Sequence, residues 1–334
     1  MVQLLTADDQ RASRDTRARA VRVIAVTIAV IVIQWLMVTA YAWSTSRSAP
    51  RDVPVAVTGP ASAGALEARL GQVNPGSFRF IPVPDAAAAR REIAGRIAYG
   101  AIVVPAAGGA PRVLVATAAS PAIAHVLTVL AGELDGVPEP VRELAPLSPN
   151  DPAGAATDFT IVPVVITSII AGVLLTLAVP GALARLAALL AFGAGGGAVT
   201  ALVTHTWLAV TVGNYFILAA VLGLAGLAIS ASVAGLGAIT GRLCGRRLIP
   251  AGLGLGAAIS MLLGTPFSGA LSAPEMLPGG WGAFGQWLPP GALTTLLRAV
   301  EYFGGHRSGG SWAVLAIWTG IGMALVIVRG GSHD

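Results

Sequence analysis

Six stretches of this chain are long and apolar enough to cross a bilayer, and this limits the fold more than any other feature. A spanning helix needs about 20 mostly apolar residues, because the hydrocarbon core offers no partner for unsatisfied backbone groups. The stretches cover residues 23–43, 161–177, 186–206, 215–240, 249–271 and 312–328. Between the first two lies residues 47–158, a segment holding nine arginines and ten acidic residues. The expected fold class is an α-helical integral membrane protein with six transmembrane helices. A small α/β extracytoplasmic domain is inserted between the first and second spans. The division is a leader over 1–22, a first helix over 23–45, the inserted domain over 46–157 and a five-helix membrane domain over 158–330.

Composition agrees: 55% of residues are hydrophobic and 11% charged, where a soluble domain carries about 25% charged residues. One cysteine, Cys244, excludes an internal disulfide and a cysteine-built zinc cage. Arginine supplies all 21 basic residues and lysine none. The P-loop lysine and Schiff-base chemistry are thereby removed, so the chain does not hydrolyse ATP in the usual way. Most arginines outside the soluble segment flank the spans, which makes them topology signals and not a nucleic-acid footprint.

Those arginines set the expected orientation. Five stand in the leader, and Arg185, Arg242, Arg246, Arg247 and Arg329 fall in short segments on the same side. The positive-inside bias then places both termini in the cytoplasm and residues 46–157 outside the cytoplasmic membrane. Ala40-Tyr41-Ala42 resembles a signal-peptide cleavage site. The apolar run before it exceeds the usual length of such signals, and an uncleaved anchor is expected.

Within the inserted domain, strands are expected at 53–59, 78–83, 99–104 and 112–116, the last two forming an antiparallel hairpin. Helices are expected at 61–70, at 86–96 with Asp85 as N-cap, and at 121–133 beginning from Ser120. Residues 136–151 read as a linker. His125 reads as an ordinary helical histidine, and Asp85, Arg90, Arg91 and Glu92 as a solvated helix face. No nucleophile–base arrangement, metal-ligand spacing or phosphate loop is visible, so neither an enzyme, a metal nor a cofactor is expected.

The span centres lack Asp, Glu, Lys and Arg, which argues against a carboxylate proton relay. His205, beside Trp207, reads as an interfacial residue. Gly193, Gly195, Gly196 and Gly197, with the pairs Gly237/Gly241 and Gly252/Gly256, read as close helix-packing positions. The stretch 264–305 cannot be one helix, since it carries Pro266, Pro274, Pro278, Pro289 and Pro290 among many glycines. Broken, partly re-entrant helices in the outer leaflet are expected, followed by an amphipathic helix from Pro290 to Phe303 closed by Gly304-Gly305. Leu277, Trp281, Phe284, Trp287 and Leu288 suit a membrane–water interface. Arg298 and Glu301, three residues apart, are expected to pair locally.

The order Pro266-Phe267-Ser268, Pro274-Glu275-x-Leu277-Pro278, Leu288-Pro289-x-Gly291 and Arg298-x-x-x-Tyr302-Phe303 resembles the membrane subunits (permeases) of type-2 ABC exporters. The similarity is to the phage infection protein branch and its actinobacterial relatives. VPVAVTG at 53–59, RREIAGRIAYGAIVV at 90–104 and Asp158-Phe159 extend it over nearly the whole chain past residue 20. The resemblance implies a permease-like fold that pairs as a homodimer, or as a heterodimer with a related chain, with an outer gate after the fifth span. Pro266, Phe267, Glu275, Pro278, Arg298 and Glu301 fall in that gate and transport pathway. It also implies a separate ATPase subunit docking on cytoplasmic loops, here through Arg185, Arg242, Arg246 and Arg247. Those loops, 179–185 and 241–248, are short for the purpose. The expected function is export of a hydrophobic or lipid-like compound, with membrane lipid as a further partner. The alternative is a non-transporting scaffold or receptor whose outer domain binds an envelope or secretion partner.

Overall fold

The computed structural model of the chain describes residues 2–59, 64, 68, 75–104, 112–135 and 141–328. The chain is mostly helical and divides into two compact units, residues 1–46 and residues 47–334. The first unit is a single helix, α1 (Val2–Ser46). Leader and first span are thus continuous and not separate elements. Six helical segments among the described residues are long and apolar enough to cross a membrane: Arg19–Ser46, Asp158–Ala178, Ala182–Trp207, Tyr215–Leu243, Arg246–Gly264 and Gly309–Val328. They make this a candidate multi-pass membrane protein.

The second unit opens with a small sheet domain. Its strands are β1 (Val53–Thr58), β2 (Phe78–Val83), β3 (Gly100–Val103), β4 (Arg112–Val115) and β5 (Arg142–Glu143). They lie in the order β2-β1-β3-β4-β5. β1 pairs parallel with β2 and β3, β3 pairs antiparallel with β4, and β5 is parallel to β4. The fifth strand corrects the expectation of a plain linker over 136–151. The helix expected at 61–70 lies outside the described residues apart from positions 64 and 68.

Every β1 residue is buried, as an apolar strand ending in a hydrogen-bonded Thr58 allows when both sheet faces are covered. Val53, Val55 and Val57 face helix α3 (Pro121–Asp135), packing with Ile123, Ala124 and Leu127. Ala56, Ala101 and Leu114 face helix α2 (Ala86–Ala94), packing with Ala88, Ala89 and Ile93. Both caps form as the sequence predicts. Asp85 accepts from the Ala88 amide at 2.7 Å, and the Ser120 hydroxyl accepts from the Ile123 amide at 3.3 Å.

The remaining helices are α4 (Ala155–Ala178), α5 (Ala182–Ala201), α6 (Tyr215–Leu243), α7 (Ile249–Ala258), α8 (Trp281–Gly285), α9 (Pro289–Tyr302) and α10 (Gly309–Val328). Two of them end in wider π-helical turns, Leu202–Trp207 after α5 and Ile259–Gly264 after α7. The fifth span therefore stops at Gly264, not at 271, and Pro266 follows it at once.

α6 is the axis of the bundle. Seventeen of its 29 residues are buried, and α4, α5, α7 and α10 all pack on it. Glycine permits this crowding. A Cβ at Gly197 or Gly223 would strike the facing backbone of the α5/α6 crossing. Gly252 and Gly256 play the same part where α7 meets α6, and Gly322 where α10 does. Gly195 meets nothing, and Gly196 meets only Phe192 of its own helix. The four-glycine cluster thus serves packing at Gly193 and Gly197 alone.

We predict that Gly197→Leu destabilises the bundle by about 1–3 kcal/mol through overpacking, whereas Gly195→Leu is near neutral. Thermal unfolding of the two purified variants in detergent distinguishes them.

Candidate functional site

Residues 265–288 form a folded knot of short turns between α7 and α9, not a helix. Two single turns of 3₁₀ helix, Pro274–Met276 and Pro278–Gly280, precede the short α8. This irregular backbone lies deep in the unit. Pro266, Phe267, Ser268, Gly269 and Ala270 are all buried, and so is most of α9. Its carbonyls must find donors inside the protein, because unsatisfied buried acceptors are costly.

Arg298 is the donor that collects them. From the middle of α9 its guanidinium reaches the carbonyls of Gly269 at 3.3 Å, Ser272 at 3.4 Å and Ala270. The same Nη2 donates to Asp158 Oδ1 at 2.6 Å. Both side chains are about nine-tenths buried. Asp158 lies one turn inside α4, so the ion pair ties the second span to the knot. The carboxylate that the Arg298 guanidinium bonds at 2.6 Å is thus Asp158, a partner beyond the local Glu301 neighbour expected from spacing. Glu301 is buried near the end of α9, where Gly213 passes close to its backbone.

The sheet domain is seated on this knot. Ala273 and Met276 complete the sheet core on the α3 side, and Phe303 completes it on the α2 side. Residues 49–51 run beside the knot, with the Ala49 amide donating to Met276 O and the Arg51 amide to Glu275 O, each at 3.0 Å. The Arg51 side chain adds a bond to Met276 O at 2.7 Å. Ser120 Oγ donates to Ser272 O at 2.9 Å, and Arg96 Nη1 to Thr295 O at 3.2 Å.

Between domain and knot lies a cavity of about 840 Å³. Five arginines line it, Arg51, Arg79, Arg96, Arg298 and Arg307, against two carboxylates, Asp52 and Glu275. Tyr99 Oη donates to Glu275 Oε2 at 2.7 Å. Burial first, and then the Glu275 carboxylate, push the Tyr99 phenol well above its ordinary value, so it remains a donor. Burial pulls the Arg96 guanidinium down; Arg298 and Arg307 push the same way, and Tyr99 and Glu275 oppose them. Arg96 stays charged, since arginine does not release its proton in proteins. Its guanidinium also lies over the Phe303 ring, 5.8 Å from the centroid.

Among the described residues four non-glycines have positive φ, and three of them line this cavity: Asp52 at 54°, Arg96 at 55° and Arg307 at 54°. Arg96 follows the C-cap Gly95 of α2, where glycine is the usual choice. Such backbone costs of order 1 kcal/mol or more per residue. Its concentration on charged cavity residues marks the place where side-chain identity outweighs backbone comfort.

The structure brings Glu275 and Arg298 to this cavity. Pro266 and Phe267 are buried in the knot and do not line the cavity, Phe267 stacking on Trp281 at 4.6 Å between centroids. Pro278 is buried in the second short turn. Of the expected interfacial residues, Trp281, Phe284 and Trp287 are exposed, while Leu277 and Leu288 turn inward. The four arginines grouped as a docking set separate. Arg185 is buried and donates to the carbonyls of Leu175, Thr176 and Val179, closing the C-terminus of α4. Arg242 donates to Val328 O. Arg246 and Arg247 are exposed on the turn after α6.

The sequence reading did not single out Arg51, Arg79, Arg96, Tyr99, Asp158 or Arg307 as site residues. The available signal was Arg96 and Tyr99, polar residues placed between a helix and a buried strand. Comparison with protein-family models, curated proteins and solved structures finds no match in any of the three.

Two outcomes follow. Arg298→Met, which strands Asp158 and three carbonyls, costs about 3–5 kcal/mol, and Asp158→Asn costs less because the carbonyl bonds survive; unfolding of the two variants in detergent ranks them. Above about pH 10 the folded Tyr99 keeps a proton that an unfolded tyrosine releases, so stability falls as pH rises there. Unfolding midpoints measured across that range fall less steeply in Tyr99→Phe.

Proposed function

We propose that this chain is a permease-like membrane protein of the type-2 ABC exporter kind, which moves a hydrophobic or lipid-like compound across the cytoplasmic membrane. One observation carries the reading: a broken-helix knot, braced by Arg298 and Asp158, sits between an apolar five-helix bundle and a docked sheet domain. A bundle with no charge at its span centres suits a greasy cargo better than a sugar or an ion. A knot of short turns at the bundle's end is the element that can open or close a path.

The two ends of α6 support an orientation. Its 29 residues span about 40 Å at 1.5 Å per residue. The sheet domain reaches the end near Tyr215, where Ser148 and Asn150 bond Ala209 O. The exposed Arg246 and Arg247 follow the other end. In this reading the arginine end is cytoplasmic and carries the docking surface for a separate ATPase subunit, and the sheet domain faces outward. The chain works as a dimer with itself or a related chain.

Native mass spectrometry of the chain purified from its own membrane tests this. An ATPase subunit is expected to co-purify, with ATP turnover lost in the Arg246→Ala/Arg247→Ala double variant. A bare dimer without an ATPase, together with unchanged export in a strain lacking the chain, overturns the exporter reading in favour of the scaffold.

A further inference from the structure

We propose that the cavity between the sheet domain and the knot binds a phosphate ester, gripped by Arg96 with Arg79 and Arg307 at its mouth. This goes beyond the exporter reading and does not depend on it, since binding is measured without transport.

The charges in the cavity are not balanced from within. Asp158 neutralises Arg298, whose other donors are taken by carbonyls. Arg51 is likewise occupied by the carbonyls of Arg47, Ala49 and Met276. Among the described residues, Arg79 has only a long, exposed contact of 3.7 Å with Asp52. Arg307 makes no side-chain hydrogen bond or ion pair among the described residues. Arg96 is the central case. It is half-buried, and among the described residues its one side-chain hydrogen bond is to Thr295 O and no carboxylate lies within ion-pair distance, Glu275 acting on it only from farther across the cavity. The Phe303 ring and the Thr295 carbonyl hold the guanidinium plane while leaving the rest of its fork available. A half-buried, oriented guanidinium with spare donors and no bonded carboxylate among the described residues is a candidate anion site.

The arrangement selects the class of anion. A carboxylate is satisfied by one fork, whereas three guanidinium groups from separate segments suit a tetrahedral anion with several charged oxygens. Exposed Arg79 and Arg307 lead to half-buried Arg96, a gradient that draws an anion inward. The cavity, at about 840 Å³, is far larger than phosphate and falls within the range of organic-ligand sites. Ile97, Leu277 and Ala283 give it apolar lining for the ester's organic part. Glu275, held by Tyr99, marks the limit of the anion's reach and disfavours further negative charge there.

The test uses the full chain in detergent with two probes: sn-glycerol 3-phosphate by calorimetry, and phosphatidic acid against diacylglycerol of the same chains by native mass spectrometry. Binding is expected to require the phosphate and to weaken about tenfold or more in Arg96→Gln, the loss of a charge-assisted bidentate contact. Arg96→Lys, which keeps the charge and loses the fork, is expected to fall between. Arg307→Gln, at an exposed position that does not threaten folding, weakens binding as well. Arg246→Gln/Arg247→Gln leaves it unchanged. Binding of glycerol 3-phosphate with this pattern identifies a soluble ester as ligand, and binding of phosphatidic acid alone identifies a lipid headgroup. Equal binding of phosphatidic acid and diacylglycerol overturns the proposal. So does no binding of either phosphate probe, or the same affinity in Arg96→Gln and Arg307→Gln as in the parent chain.

Discussion

The buried contact between Arg298 and Asp158 is the interaction on which the rest of this structure depends. A chain that leaves helical structure inside a packed, apolar unit strands carbonyl groups that water cannot reach. Arg298 answers three of them at once, from Gly269, Ala270 and Ser272, and Asp158 neutralises the charge this brings inside. Removing either one leaves the other's charge buried and uncompensated. Together they permit a knot of short turns inside the packed unit.

Everything at the sheet end is built on that knot. Met276 and Ala273 fill one sheet core and Phe303 the other, so the α/β layer is finished by residues more than a hundred positions away in sequence. This explains why α9 is amphipathic in sequence yet mostly buried. Leu293, Leu296 and Leu297 enter the bundle core, while its Thr295 carbonyl is covered by Arg96 of the sheet domain. The cavity is the space left between the two halves, and its arginines come from both.

The bundle rests on a different physics. Lipid gives apolar helices little reason to associate, so close approach and dispersion must do it. α6 meets α5 through Gly193, Gly197 and Gly223, and α7 through Gly252 and Gly256. Backbone contact of this kind also accounts for the clustering of glycine on particular helix faces, with Gly195 and Gly196 left outside the seam.

The sequence by itself determined the number of apolar helices, the order of β1 to β4, the Asp85 and Ser120 caps and the breaking of helix within 264–305, because each follows from local periodicity, turn chemistry or proline. β5 escaped because two residues of strand have no pattern to read. The three-residue spacing of Arg298 and Glu301 gave no sign of Asp158, since helical spacing says which residues are neighbours and not which way a long side chain turns. Only the tertiary structure decided that Asp158 meets Arg298, that Arg185 closes the C-terminus of α4, and that Arg96, Arg79 and Arg307 line one cavity. Those facts depend on how separate segments stack, and charge pairing across 140 positions leaves no periodic trace in a single sequence.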